Sequence, residues 1–157
     1  KAKLGGIAVS CFRTPHDAAY SVGYRFEGEN IIAYATDTGS ISDELVRGLE
    51  GAELALIEAN HDVEMLKTGP YPYYLKQRII SPRGHLSNND SGKLALHLAK
   101  SGGRHIMLGH LSRENNTPEL AYNTVNDAVS TENAEISVAP MNNLLAVTVG
   151  ERVKCLV

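Results

Sequence analysis

The sequence predicts an α/β domain, a mixed sheet with helices packed on one face, and three observations carry that prediction. Short apolar runs with strand character alternate with helical stretches along the whole chain. The alternating run Val22 to Glu27 and the strand that follows Gly28-Glu29-Asn30 form a hairpin, which sets antiparallel pairing. The strand ending at Asp37, the helix from Ile41 to Leu49 and the strand from Glu53 to Ala59 form a strand-helix-strand unit, which favours parallel pairing. At 157 residues, 43% of them hydrophobic, residues 1–157 suit a single domain with a real core.

In order, Gly6 to Phe12 is a short apolar run read as a strand, stopped by Pro15 in Arg13-Thr14-Pro15. Ile31 to Thr36 is the return strand of the hairpin, and Asp37-Thr38-Gly39 is the turn at its end. Leu45, Val46 and Leu49 share a helical face closed by Gly51, and Val63 to Leu66 opens a further helix after Asn60-His61-Asp62. Thr68 to Tyr74 is turn-rich and aromatic and leads into a short basic helix, Leu75 to Ile80. Asp90 to Lys100 is a helix facing inwards through Leu94 and Leu98 and ended by Gly102-Gly103. Ile106 to Leu108 is a buried strand, and Thr117-Pro118-Glu119 is a helix start with a cap, Pro at the first position and an acid in the first turn. Two strands, Glu135 to Ala139 and Leu144 to Val149, finish the chain.

A net charge of −3 provides no global basic field, so any contact with a polyanion must come from a local patch. Tyr71, Tyr73 and Tyr74 with Lys76, Arg78 and Arg83 read either as base-stacking and phosphate-holding residues or as a packed loop lid. Cys11 and Cys155 suggest reduced, buried thiols in a cytoplasmic protein, not a disulfide framework. No apolar run approaches membrane-spanning length.

Chemistry concentrates at strand exits. Asp37 ends one strand; His16 follows another; His61 follows a third; and His85 and His110 each sit in a Gly-His-Leu-Ser stretch. Plainer readings exist beside the functional ones: Asp37 as the cap of the helix opening at Ser42-Asp43-Glu44-Leu45, and His61 as part of a capping turn. His97 and His105 fall inside elements and are read as structural. Histidine and aspartate are borderline ligands suited to zinc or manganese, with a carboxylate able to bridge two ions.

Taken together, Thr14-Pro15-His16-Asp17-Ala18, Ala35-Thr36-Asp37-Thr38-Gly39, Ile57-Glu58-Ala59-Asn60-His61-Asp62, Gly84-His85-Leu86-Ser87-Asn88 and Leu108-Gly109-His110-Leu111-Ser112 resemble the metallo-β-lactamase-fold hydrolases of the YycJ (WalJ) type. The resemblance implies a four-layer αβ/βα sandwich and DNA exonuclease activity with two divalent ions, zinc or manganese. It makes His16, Asp37 and His110 metal ligands, Asp37 bridging, and His85 the group that protonates the leaving oxygen. Ser87, Asn88 and His61 are expected at the substrate.

The His-x-His-x-Asp-His motif that opens the family's metal site is absent from the sequence, so the chain resembles the C-terminal part of that fold. The expected partners are therefore DNA or another phosphodiester, and a missing N-terminal half, a partner chain or a second copy to cover the exposed sheet face. Alone, the chain is expected to bind zinc weakly and to be inactive. The competing readings are an assembly or binding module, and a hydrolase of a small phosphodiester or ester.

Overall fold

The computed structural model describes residues 2–143, 145–149 and 154–156. Seven strands form one mixed sheet in simple sequential order: β1 (Ala2–Leu4), β2 (Ile7–Arg13), β3 (Val22–Glu27), β4 (Ile31–Ala35), β5 (Leu54–Glu58), β6 (His105–Gly109) and β7 (Glu135–Val138). Pairing is antiparallel from β1 to β4 and parallel from β4 to β7, because hairpin turns join the first set and helical crossovers the second. A separate two-stranded ribbon pairs β8 (Ala146–Thr148) with β9 (Lys154–Leu156).

The crossovers supply α1 (Asp43–Leu49) between β4 and β5, α2 (Val63–Thr68), α3 (Tyr73–Ile80) and α4 (Asn88–Lys100) between β5 and β6, and α5 (Pro118–Ala128) before β7. Local chemistry starts four of these five helices: the side chains of Ser42, Asp62, Ser87 and Thr117 each accept a first-turn backbone N–H. Pro72 stands at the corresponding place of α3 with no capping side chain.

One face of the sheet holds the core. Phe12, Ala33, Ala35, Ala55, Ile57, Ile106 and Leu108 meet Leu45 and Leu49 of α1, Leu94 and Leu98 of α4, and Ala121 and Val125 of α5. Gly48 lets α1 lie flat on the Phe12 ring, where a β-carbon would enter the aromatic carbons. The opposite face carries Cys11, Tyr24 and Tyr34 side by side across β2, β3 and β4, and all three are exposed.

That register corrects one expectation. Cys11 is exposed because strand alternation sends Phe12 into the core and its neighbour to the other face. The side chain of Cys155 lies outside the described residues. The last expected strand, Leu144 to Val149, is limited to Ala146–Thr148, with Leu144 itself undescribed, while β1 and β9 had no counterpart in the sequence reading. Among the described residues, no helix is long and apolar enough to cross a membrane.

Candidate metal centre

The parallel pairing of β4, β5 and β6 brings three strand ends to one edge, the usual location of a site in an open α/β sheet. Asp37 follows β4, Glu58 closes β5 and His110 follows β6. Asp37 (φ 53°) and His110 (φ 58°) are the two non-glycine residues with positive φ among the described residues. Left-handed backbone is costly for side-chain-bearing residues and persists where surrounding contacts over-determine it. Here Ser21 donates its hydroxyl to the Asp37 carbonyl, and Asn60 its amide to the His110 carbonyl.

Two further loops close on this edge. Gly39 donates its N–H to the Pro15 carbonyl at 2.7 Å, pinning the Asp37 turn to the His16 loop. Gly39 also abuts the backbone of Arg83 and Gly84, and Gly84 abuts the carbonyls of Arg78 and Ile79, so neither position has room for a β-carbon. The Gly84 carbonyl in turn lies 2.9 Å from Nδ1 of His16. His85 therefore comes to rest between two other imidazoles, its ring centroid 5.0 Å from that of His16 and 5.3 Å from that of His110.

Asp37 Oδ1 is 3.7 Å from Nε2 of His16 and 3.7 Å from Nε2 of His110. One carboxylate oxygen is thus flanked by two imidazole nitrogens. Donor atoms of Asp37, Glu58, His85 and His110 also lie within 4.8 Å of one another. This oxygen-and-imidazole set suits a divalent ion.

Glu58 has no exposed side-chain surface, and its oxygens are fully engaged. Oε1 lies 2.7 Å from Nδ1 of both His85 and His110, and Oε2 accepts the Thr38 N–H at 2.8 Å. Burial opposes its charge, but the hydrogen bonds from His110 and His85 outweigh that cost and hold its pKa below the usual carboxylate value. An ionised carboxylate only accepts, so both Nδ1 atoms carry hydrogen and Nε2 is the nitrogen each ring has to spare. His16 reaches the same state through the Gly84 carbonyl, which also only accepts. The hydrogen bond that His110 donates to Glu58 raises the pKa of His110, against the opposing effect of burial. A buried carboxylate that orients imidazoles from behind is a common arrangement in metal sites, and Glu58 stands in that position behind His85 and His110.

Glu58, within Ile57-Glu58-Ala59-Asn60-His61-Asp62, is a site residue to which the sequence motifs assign no role. The available signal was an ionisable residue inside an otherwise apolar strand, a position that a charge occupies only when paired.

His61 is buried, lowered in pKa by desolvation, and leaves Nδ1 without a partner; with Ser87, Asp90 and His85 it lines a cavity of about 180 Å³. Ser87 is engaged as the cap of α4 and donates to Asp90. Asn88 is 1% exposed, and its whole amide pairs reciprocally with that of Asn116. These two side chains support the His85 loop in this structure. A larger, open cavity of about 380 Å³ lies against His85 and His110 and is bordered by Tyr71, Arg78 and Arg113.

A model of the beta-lactamase superfamily domain matches residues 1–111. The chain is 44% identical over 123 residues to the exodeoxyribonuclease WalJ of Streptococcus pneumoniae, a match covering 78% of the chain and 46% of that protein. It is 40% identical over 127 residues to the exodeoxyribonuclease YycJ of Bacillus anthracis, covering 80% and 48%. The chain thus spans about half the length of the curated relatives it matches. Its fold is similar to that of the zinc-bound PqqB from Methylobacterium extorquens, with a TM-score of 0.57 and 19% identity over 87% of this chain and 49% of that one. A diphosphatase from the PhnP family shares the fold at a TM-score of 0.54 and 22% identity, over 88% and 42%.

Proposed function

The chain belongs to the beta-lactamase superfamily, as a metallo-β-lactamase-fold protein of the WalJ/YycJ type, and from that premise we propose that it supplies one half of a metal-dependent nuclease site acting on DNA from a strand end. The observation that carries this reading is the flanking of Asp37 Oδ1 by His16 Nε2 and His110 Nε2 at 3.7 Å each, at the edge where three parallel strands end.

In this reading His16, Asp37 and His110 would hold zinc or manganese, with Asp37 as the ligand the two ions would share. Bound there, divalent ions supply charge stabilisation at a phosphoryl oxygen and acidify water. The remaining ligands come from a segment bearing the His-x-His-x-Asp-His motif. His85 is the general acid: Glu58 holds its Nδ1–H at 2.7 Å, leaving Nε2 to pass a proton to the leaving oxygen from the wall of the larger cavity. Glu58 acts as a positioning residue, fixing two rings at once. His61 and Ser87 line the smaller cavity on the other side of His85 and border the substrate there, while Asn88 supports the loop. The names of the two relatives favour DNA over a small phosphodiester, although the open cavity accommodates either.

End-labelled DNA incubated with the complete protein tests this. Cleavage is expected with added manganese or zinc, and Asp37→Ala is expected to abolish it. Unchanged cleavage by that variant overturns the assignment.

A further inference from the structure

We propose that α3 and the loop before it form a track for single-stranded DNA, with Tyr73 and Tyr74 stacking on unpaired bases and Arg113 taking a phosphate where the track enters the metal centre. The inference rests on the nuclease reading and deepens it by naming the form of DNA held next to the site.

Charge is the first support. Residues 65–113 carry eight of the chain's 15 Lys and Arg and one of its 18 Asp and Glu, Asp90, so a chain that is acidic overall is basic over the stretch that holds α3 and reaches Arg113. A local excess of cations of this kind favours contact with a polyanion. Exposure is the second. Tyr73 is 77% and Tyr74 is 74% exposed, and Ile79 is the one buried residue of α3. Two adjacent tyrosines stand where packing does not use them, and their rings offer flat faces to solvent. Position is the third, since Tyr71, two residues earlier, lines the same cavity as His85, His110, Arg78 and Arg113. A strand lying along α3 therefore leads directly to the group assigned as general acid.

The cations divide their work. Arg78 is held by both oxygens of Asp17, and Arg83 donates to the His16 carbonyl, so these two brace the track. Arg113 has no ion-pair partner among the described residues and is exposed at the cavity mouth. Aromatic stacking requires the face of a base, which a duplex hides and a single strand presents. Neither an acidic peptide nor a lipid headgroup offers that face next to a repeating phosphate.

Fluorescence anisotropy with a dye-labelled 12-nucleotide single strand, in EDTA so that nothing is cleaved, tests the track on the full chain. The double substitution Tyr73→Ala/Tyr74→Ala is expected to weaken binding about tenfold or more, while Tyr73→Phe/Tyr74→Phe keeps it within about threefold, because stacking needs the ring and not the hydroxyl. A blunt duplex of the same sequence is expected to lose less than threefold with either variant. Equal single-strand affinity for the alanine variant overturns the proposal. So does a loss in the phenylalanine variant as large as that in alanine, or a change in sedimentation showing that the tyrosines cover a second copy. Absence of metal-dependent cleavage alongside tyrosine-dependent binding removes the catalytic reading and leaves the track. Cleavage with tyrosine-independent binding removes the track alone.

Discussion

Glu58 shows how one buried side chain organises several others. Its carboxylate joins the ends of three segments through His85, His110 and the Thr38 N–H, with no solvent to share the load. Glu58→Gln keeps the shape but places an amide where one oxygen accepts from two rings, so at least one imidazole loses its orientation. The expected outcome for the complete protein is a fall of about 10- to 100-fold in DNA cleavage with an unchanged circular dichroism spectrum, read from kcat/KM at saturating manganese. Gly84 makes a different residue-scale point. A β-carbon there meets the carbonyls of Arg78 and Ile79, so Gly84→Ala must shift the loop that carries His85. We expect a loss of about 1–3 kcal/mol in urea unfolding, together with weakened activity, whereas the exposed Gly102, at φ 93°, should show strain alone.

Between elements, buried polar pairs and one exposed ion pair hold the loops that carry the site. Asn88, opening α4, and Asn116, just before α5, exchange two amide hydrogen bonds at 2.8 and 2.9 Å, and Asn116 also donates to the Ala59 carbonyl at the end of β5. Asn116→Ala leaves the buried amide of Asn88 unsatisfied and should cost about 1–3 kcal/mol, measured by urea denaturation. Asp17, in the loop after β2, pairs with Arg78 of α3, and the Arg78 hydrogen bond holds its pKa down at about 2 from 3.8. The native pKa lies below the unfolded one, so this contribution is complete above pH 3.8 and disappears as pH falls towards 2. Asp17→Asn should therefore flatten the acid side of the stability profile between about pH 4 and 2, and leave its slope above pH 5 unchanged. Because the Asp17–Arg78 pair lies at the surface, the effect on stability at neutral pH should be small.

For the whole molecule, the number of ligands sets an expectation for metal binding. If, as proposed, His16 serves one ion, His110 the other and Asp37 both, each ion would draw two protein ligands from this chain, against about three in an ordinary catalytic zinc site. Calorimetric titration of residues 1–157, free of any polyhistidine tag, should show weak or no zinc binding, and adding a polypeptide that bears the missing motif should strengthen it. Tight binding of two ions to the chain alone would mean that further residues, His61 first, act as ligands. The sequence by itself determined most of the elements and marked the aspartate and histidines that stand at the strand exits. Alternation exposed the strands, Ser42, Ser87 and Thr117 sit at helix starts, and Asp37 and His110 follow apolar runs, all of which are relations between near neighbours. Tertiary structure alone decided which of those residues meet. The parallel register of β4, β5 and β6 set Asp37, Glu58 and His110 at one edge, and the contact of Gly39 with Gly84 folded His16 and His85 onto it. Glu58 passed unrecognised because its role consists of hydrogen bonds to residues 20, 27 and 52 positions away, and no local pattern records a partner at that distance.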